Sequence, residues 1–238
     1  MTLAQNLVPG IIGFAPATDY VYLREIQSAA ARMDAGLVNS LRTLYATLDT
    51  DTFFGLDEAG RTGEAGNLIS AAALSLRNGG ADFLVVTSNT GSIILEEAGD
   101  VGIPLLSIFD AVMAEVAEAG FRKPGLLSTR RTLESGRYQA AAERLGVSVL
   151  APCDSAVAEL DTMIDSEAIR GINTPSSLTL LQTMVKELAD AGADSVILGC
   201  TDLVLFGLEN IGAGVLPVVD STVAHARAAA ARAVAVRS

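Results

Sequence analysis

Apolar positions follow two alternating patterns along this chain. Nearly continuous apolar runs of strand length occupy 7–15 (LVPGIIGFA), 41–48 (LRTLYATL), 82–88 (DFLVVTS), 103–109 (IPLLSIF), 124–129 (PGLLST), 147–152 (VSVLAP), 195–200 (SVILGC) and 215–220 (VLPVVD). Between most of them lie longer stretches rich in Ala, Leu and Glu with helical spacing, such as 67–80 (NLISAAALSLRNGG) and 176–192 (SSLTLLQTMVKELADAG), each closed by glycine. Strands without polar alternation are buried on both faces, so the pattern predicts an α/β protein with mostly parallel sheets.

The pattern also repeats. NGGADFLVVTSNT (78–90) lies over DAGADSVILGCTD (190–202), with Gly80, Ala81 and Asp82 on Gly192, Ala193 and Asp194, and Ser88 on Cys200. PGIIGFA from Pro9 matches PGLLSTR from Pro124, and IPLLSIFD from Ile103 matches LPVVDST from Leu216, in the same order and at nearly the same shift. The expectation is two similar α/β domains related by a pseudo-twofold axis, the first formed by 1–110 plus 217–238 and the second by 111–216. Ligands of open α/β sheets bind at the carboxyl ends of the strands, so the active site is expected between the domains, with Ser88 and Cys200 at equivalent strand ends.

Composition narrows the function. The 238 residues allow a sizeable core. Mean hydropathy is +0.41, but no apolar run approaches a membrane span. The N-terminal MTLAQNLVPGIIGFAP has neither a basic flank nor a cleavage site, so no secretory leader is expected. Sixteen basic against 28 acidic residues give a net charge of −12, which argues against nucleic acid and anionic membranes as partners. Two cysteines make no disulfide framework and fit a reducing, cytoplasmic setting. No His/Cys/carboxylate cluster has metal-ligand spacing, and GIIGFAP (10–16) completes no dinucleotide fingerprint, so neither metal nor cofactor is expected.

A thiol at a strand end, opposed by a hydroxyl at the equivalent end, suits proton removal from one face of a carbon and its return on the other. Backbone N–H groups at a strand-to-helix turn lower a thiol's pKa, and CTDL after Cys200 supplies such a turn. Asn89, Thr90 and Thr201 stand beside it as donors for a substrate carboxylate. Cys153, in LAPCDSA, has no motif around it and reads as an inert thiol; His225, on an Ala-rich helical tail, reads as packing; Arg130 and Arg131 read as solvated charges.

These residues resemble the cofactor-independent aspartate/glutamate racemase superfamily. Its second signature, two apolar residues followed by Gly-Cys-Thr and an acid or His, is similar to ILGCTDL (197–203). Its first, a Cys at or just before Asn-Thr, resembles VVTSNTGS (85–92) with the Cys replaced: Ser88 precedes Asn89, and Thr87 precedes Ser88. LLSTRRTLESGRY (126–138) resembles a Gly-Thr-x-x-Thr segment, and LPVVDSTVAHA (216–226) matches near the C-terminus. The resemblance implies two α/β domains, two-thiol catalysis without pyridoxal phosphate or metal, a homodimer, and an aspartate- or glutamate-like substrate. Carried over by position, Cys200 is base and acid on one face, with Ser88 opposite; Asn89, Thr90, Thr129, Thr132 and Thr201 surround the α-carboxylate and amino group. GFAPATDYVY (13–22) departs from the family by lacking a Gly-Gly pair, and Ser92 stands for a frequent His. The stretch 47–60 has no basic residue for a side-chain carboxylate, which leaves Arg61, Arg130 or Arg170 to supply one. Two other functions fit the same residues: a single-cysteine decarboxylase of arylmalonate type, favoured by the missing thiol and by Phe53–Phe54, and a non-catalytic small-molecule binder.

Overall fold

The computed structural model describes residues 6–34 and 40–234; the first five residues of the stretch expected to carry no leader lie outside it. The chain runs β1 (Pro9–Gly13), α1 (Pro16–Met33), β2 (Leu44–Thr47), α2 (Thr50–Glu58), α3 (Thr62–Asn78), β3 (Phe83–Val86), α4 (Asn89–Ala98), α5 (Ile108–Glu118), β4 (Pro124–Leu127), α6 (Arg130–Glu134), α7 (Arg137–Glu143), α8 (Asp154–Ser166), α9 (Pro175–Asp190), β5 (Ser195–Leu198), α10 (Leu208–Gly212), β6 (Val218–Asp220) and α11 (Ser221–Val234). Short 3₁₀ turns cover Ala168–Arg170 and Thr201–Phe206. No helix among the described residues is long and apolar enough to cross a membrane.

The chain divides into two compact units, Met1–Ile108 with His225–Ser238, and Phe109–Ala224. Each holds a three-stranded parallel sheet, ordered β2-β1-β3 in the first and β4-β5-β6 in the second. Single bridges extend both: Leu105 beside Leu84 beyond β3, and Leu150 beside Gly125 beyond β4. The full orders are therefore β2-β1-β3-Leu105 and Leu150-β4-β5-β6, and they superimpose in the order the sequence repeat requires. The apolar runs at 103–109 and 147–152 form no strands: each supplies one bridging residue, Leu105 and Leu150, and the first run ends inside α5. Proline at 104 and 152 removes ladder donors there, and the segments form only an outermost pairing.

Packing repeats as well. Asp82 accepts the Val8 N–H through Oδ2 at 2.8 Å, and Asp194 accepts those of Arg122 and Lys123 at 2.6 and 2.9 Å, each fastening the start of the neighbouring strand. A Cβ at Gly10 would stand 3.2 Å from the Leu76 Cβ, and one at Gly125 would stand 2.7 Å from Leu188 Cδ1. Both glycines therefore let a later helix, α3 in the first unit and α9 in the second, lie directly on the sheet. Gly80 and Gly192 close α3 and α9 with φ of 95° and 88°, where an L side chain is strained.

One sequence boundary differs. β6 pairs with β5 (Leu198 opposite Asp220), so 217–224 belongs with the second sheet, and the chain passes to the first unit after Ala224 rather than before Pro217. The reason is the unmet edge of β5, which needs a parallel neighbour to satisfy its backbone groups.

In the first unit Ile11, Phe83 and Val85 face α1 and α11, where Tyr22, Ile26, Ala226 and Ala230 cover them. Ile12, Leu84 and Val86 face Phe53, Ile69 and Ile94. In the second unit Val196 and Leu198 pack against Leu160, Leu181 and Val185 of α8 and α9. His225 is fully buried in the first unit. Its Nε2–H donates to the Leu106 carbonyl (3.0 Å), which leaves Nδ1 to accept from the Tyr22 hydroxyl (3.1 Å). Burial lowers its pKa to about 4, against the Leu106 carbonyl, which pulls it up. The unfolded ring binds a proton below its ordinary value near 6.5 while the folded ring stays neutral, so stability falls as pH drops from about 6.5 to about 4, by about 3 kcal/mol. Unfolding midpoints measured across that range should therefore drop more steeply for the wild type than for His225→Gln; parallel curves would contradict the assignment.

Candidate active site

Cys200 sits just past β5, the central strand of the second sheet, in extended conformation (φ −117°, ψ 126°), and heads the 3₁₀ turn from Thr201. Gly199 makes this position possible. A Cβ there would stand 2.5 Å from Leu126 Cδ1, so only glycine lets the end of β5 press against β4, and its N–H donates to the Leu127 carbonyl at 2.7 Å. The thiol is buried, with 8% of the residue exposed. Burial pushes its pKa up and the Asp202 charge pushes it further, while the N–H groups of Asp202 and Leu203 pull it down. The substrate-free thiol therefore holds its proton at neutral pH.

Thr201, also buried, accepts the Thr222 hydroxyl at its carbonyl (3.1 Å), tying the turn after β5 to the turn after β6. Thr129 follows β4 and caps α6: its hydroxyl accepts the Thr132 N–H and donates to the Thr132 hydroxyl at 3.1 Å. Cys200, Thr201, Thr129 and Thr132 thus share the carboxyl edge of one sheet.

The first unit places Ser88, Asn89 and Thr90 at the end of β3, where α4 begins. Ser88 is its N-cap; the hydroxyl accepts the Gly91 N–H at 3.1 Å, and the carbonyl accepts from the Ser92 hydroxyl at 2.8 Å. Ser88 and Asn89 are buried, Thr90 half-buried. Gly91 is required: a Cβ would meet Phe14 Cζ at 2.5 Å, and Phe14 in turn meets Phe53 edge-to-face and Phe54 at a tilt, at 5.1 and 5.7 Å between centroids. Thr87 is committed elsewhere, donating to Asp19 Oδ1 at 2.6 Å.

Two acidic residues were not singled out from the sequence. Asp19, buried on the first turn of α1, also accepts the Tyr45 hydroxyl at 2.7 Å and the Phe14 N–H at 3.3 Å, which joins β2, the loop after β1 and Thr87. Asp220, buried at the end of β6, accepts the Val223 N–H through Oδ1 at 3.0 Å, and its Oδ2 has no partner. Neither announces its burial in the sequence: Asp19 lies in the polar opening of α1, and Asp220 ends the three-residue strand β6. Of the basic candidates, Arg61 pairs with Glu64 at 2.6 Å, Arg130 lies 3.9 Å from both Glu134 and Asp161, and Arg170 is exposed. Cys153 is exposed at the head of α8, with its sulfur 3.3 Å from the Ser155 hydroxyl.

Residues 11–229 match the family model described as Asp/Glu/hydantoin racemase. The solved structure of a Yersinia pestis chain assigned to the Asp/Glu racemases superimposes with a TM-score of 0.82 and 30% identity, covering 95% of this chain and 99% of that one. An aspartate racemase homologue from Pyrococcus horikoshii OT3 gives 0.70 and 27%, covering 95% and 97%. The glutamate racemase of Corynebacterium kroppenstedtii is 28% identical over 136 residues, which are 51% of this chain and 42% of that protein, so the match spans less than half of that relative's length. The chain belongs to the Asp/Glu/hydantoin racemase family.

Proposed function

We propose that this protein is a cofactor-independent racemase or epimerase of an aspartate- or glutamate-like amino acid, with Cys200 as thiolate base and Ser88 serving the opposite face of the same α-carbon. The observation that carries this reading is one strand end occurring twice. Ser88 stands two residues past β3 and Cys200 two past β5, in sheets of the same order, each at the head of a helical turn. The family membership and the likeness to aspartate and glutamate racemases support the reaction and the substrate class.

In the free protein the thiol is protonated, so the substrate must help ionise it. An α-ammonium group brought alongside supplies the opposite charge that favours the thiolate. The thiolate then takes the α-proton, and the C–H electron pair moves into the α-carbon and its carboxylate, where the Thr201 and Thr132 hydroxyls provide donors and Thr129 orients Thr132. A proton returns on the other face from the Ser88 hydroxyl or a water it holds. Solvent reprotonates that oxygen and accepts the thiol's proton, which closes the cycle. Ser88, rather than Thr87, fills the second position because Thr87 already spends its proton on Asp19. The chain's single His cannot serve as a helper, since both of its ring nitrogens are bonded.

The test is exchange of the α-proton in D₂O, followed by NMR for pure L- and D-aspartate, glutamate and neutral amino acids with a chelator present and no pyridoxal phosphate. Exchange accompanied by inversion is expected for an acidic substrate. Exchange with none of the panel would overturn the proposal.

A further inference from the structure

The partnerless oxygen of Asp220 is not accounted for by capping. Its Oδ1 already takes the Val223 N–H, a role that Ser or Asn fills equally well without burying a carboxyl group. The residue is 4% exposed, and an unpaired buried acid is costly unless its proton stays on. Its place in the sheet is informative. Asp220 pairs in register with Leu198, two residues before Cys200, and the turn that follows it is bonded through Thr222 to Thr201. Tyr138, fully buried on α7, hydrogen-bonds the Ser221 side chain and lies within electrostatic reach of both Asp220 and Cys200. The matching position of the first half, by the shift that aligns Ile103 with Leu216, is Ser107, so the carboxyl is found only on the side that carries the thiol.

We propose that Asp220 is a positioning residue for the Cys200 thiol: its buried carboxyl shares one low-dielectric pocket with the sulfur, and the pocket tolerates a single negative charge. With Asp220 protonated, the thiol ionises readily when substrate arrives. With Asp220 ionised, the thiolate is suppressed, because two acids that share an apolar site titrate in two separated steps. The inference rests on the reading of Cys200 as the base. The groups facing Asp220 are consistent with it. Burial raises its carboxyl to about 7, opposed by the N–H groups of Val223 and Thr222 and the Thr222 hydroxyl, and Glu115 of α5 adds repulsion. On the thiol's side, Asp202 and Asp165 contribute further negative charge, and Tyr138, its own ionisation pushed up by burial, stays neutral near both.

The experiment measures thiol ionisation without substrate. In a Cys153→Ser background, the rate of Cys200 alkylation by iodoacetamide and the ultraviolet thiolate absorbance are followed from mildly acid to alkaline pH. Asp220→Asn and Asp220→Ser both keep a capping side chain and remove the charge. Each is expected to move the thiol titration toward lower pH, with alkylation about tenfold faster at slightly alkaline pH, the change that about one pKa unit brings. Titration curves that coincide with the parent's in both variants would overturn the proposal. Because neither readout needs turnover, a shifted curve in a protein that racemises nothing would sink the proposed activity and leave this coupling standing. Racemisation with unshifted curves would do the reverse.

Discussion

Cys200→Ser is expected to lower turnover from both enantiomers by about three orders of magnitude while leaving the fold intact. The size follows from the acid–base role: a positioned base contributes roughly a hundred- to ten-thousandfold, and an aliphatic hydroxyl is too weak an acid to replace the thiolate. The fold should survive because the substitution is nearly isosteric, the position is set by Gly199 and the β5 ladder, and a hydroxyl still accepts the N–H groups of Asp202 and Leu203. Racemisation and α-proton exchange from each pure enantiomer, together with a thermal unfolding curve, check this. Residual activity of roughly a tenth or more in a folded variant would remove Cys200 from the mechanism.

Ser88→Cys should act in the opposite direction, and on one enantiomer only. On the proposed mechanism Cys200 abstracts efficiently from the face it serves, whereas Ser88 holds its proton and accepts the Gly91 N–H. The wild type should therefore exchange the α-proton of one enantiomer much faster than that of its mirror image, although the equilibrium between free enantiomers stays at one. A thiol at position 88 supplies the missing acidity and should accelerate the slow side by about tenfold or more. The substitution weakens the cap of α4, at a cost of about 1 kcal/mol, which an unfolding midpoint will register. Equal exchange rates from both enantiomers in the wild type would show that Ser88 is not the weaker half.

The repeat was the most legible feature of the chain, because matched strands bring matched packing partners. Gly10 and Gly125, Leu76 and Leu188, and Asp82 and Asp194 keep their roles in both halves. The strand end bearing Cys200 was legible for the same reason, since Gly-Cys-Thr interrupts an apolar run abruptly. The placement of β6 was harder to read, because an apolar strand does not announce which edge it will pair with; that is decided by the backbone donors left open on β5. Asp19 and Asp220 were illegible for a related reason. A single acid in a sequence looks like surface, and only burial by α1, β6 and their neighbours turns it into a connector or an orphan. The commitment of Thr87 to Asp19 likewise depends on a contact 68 residues apart in sequence.

Helix α11 carries a consequence for the making of the protein. Ala226, Ala229, Ala230 and Ala233 close the core formed by Ile11, Tyr22, Ile26, Phe83 and Val85, yet the ribosome adds them only after all of Phe109–Ala224 has been synthesised. The unit that is begun first is thus finished last, and the continuous second unit can close before it. Until α11 arrives, that face of the first sheet has only α1 to cover it, and its remaining apolar surface stays open to water during synthesis.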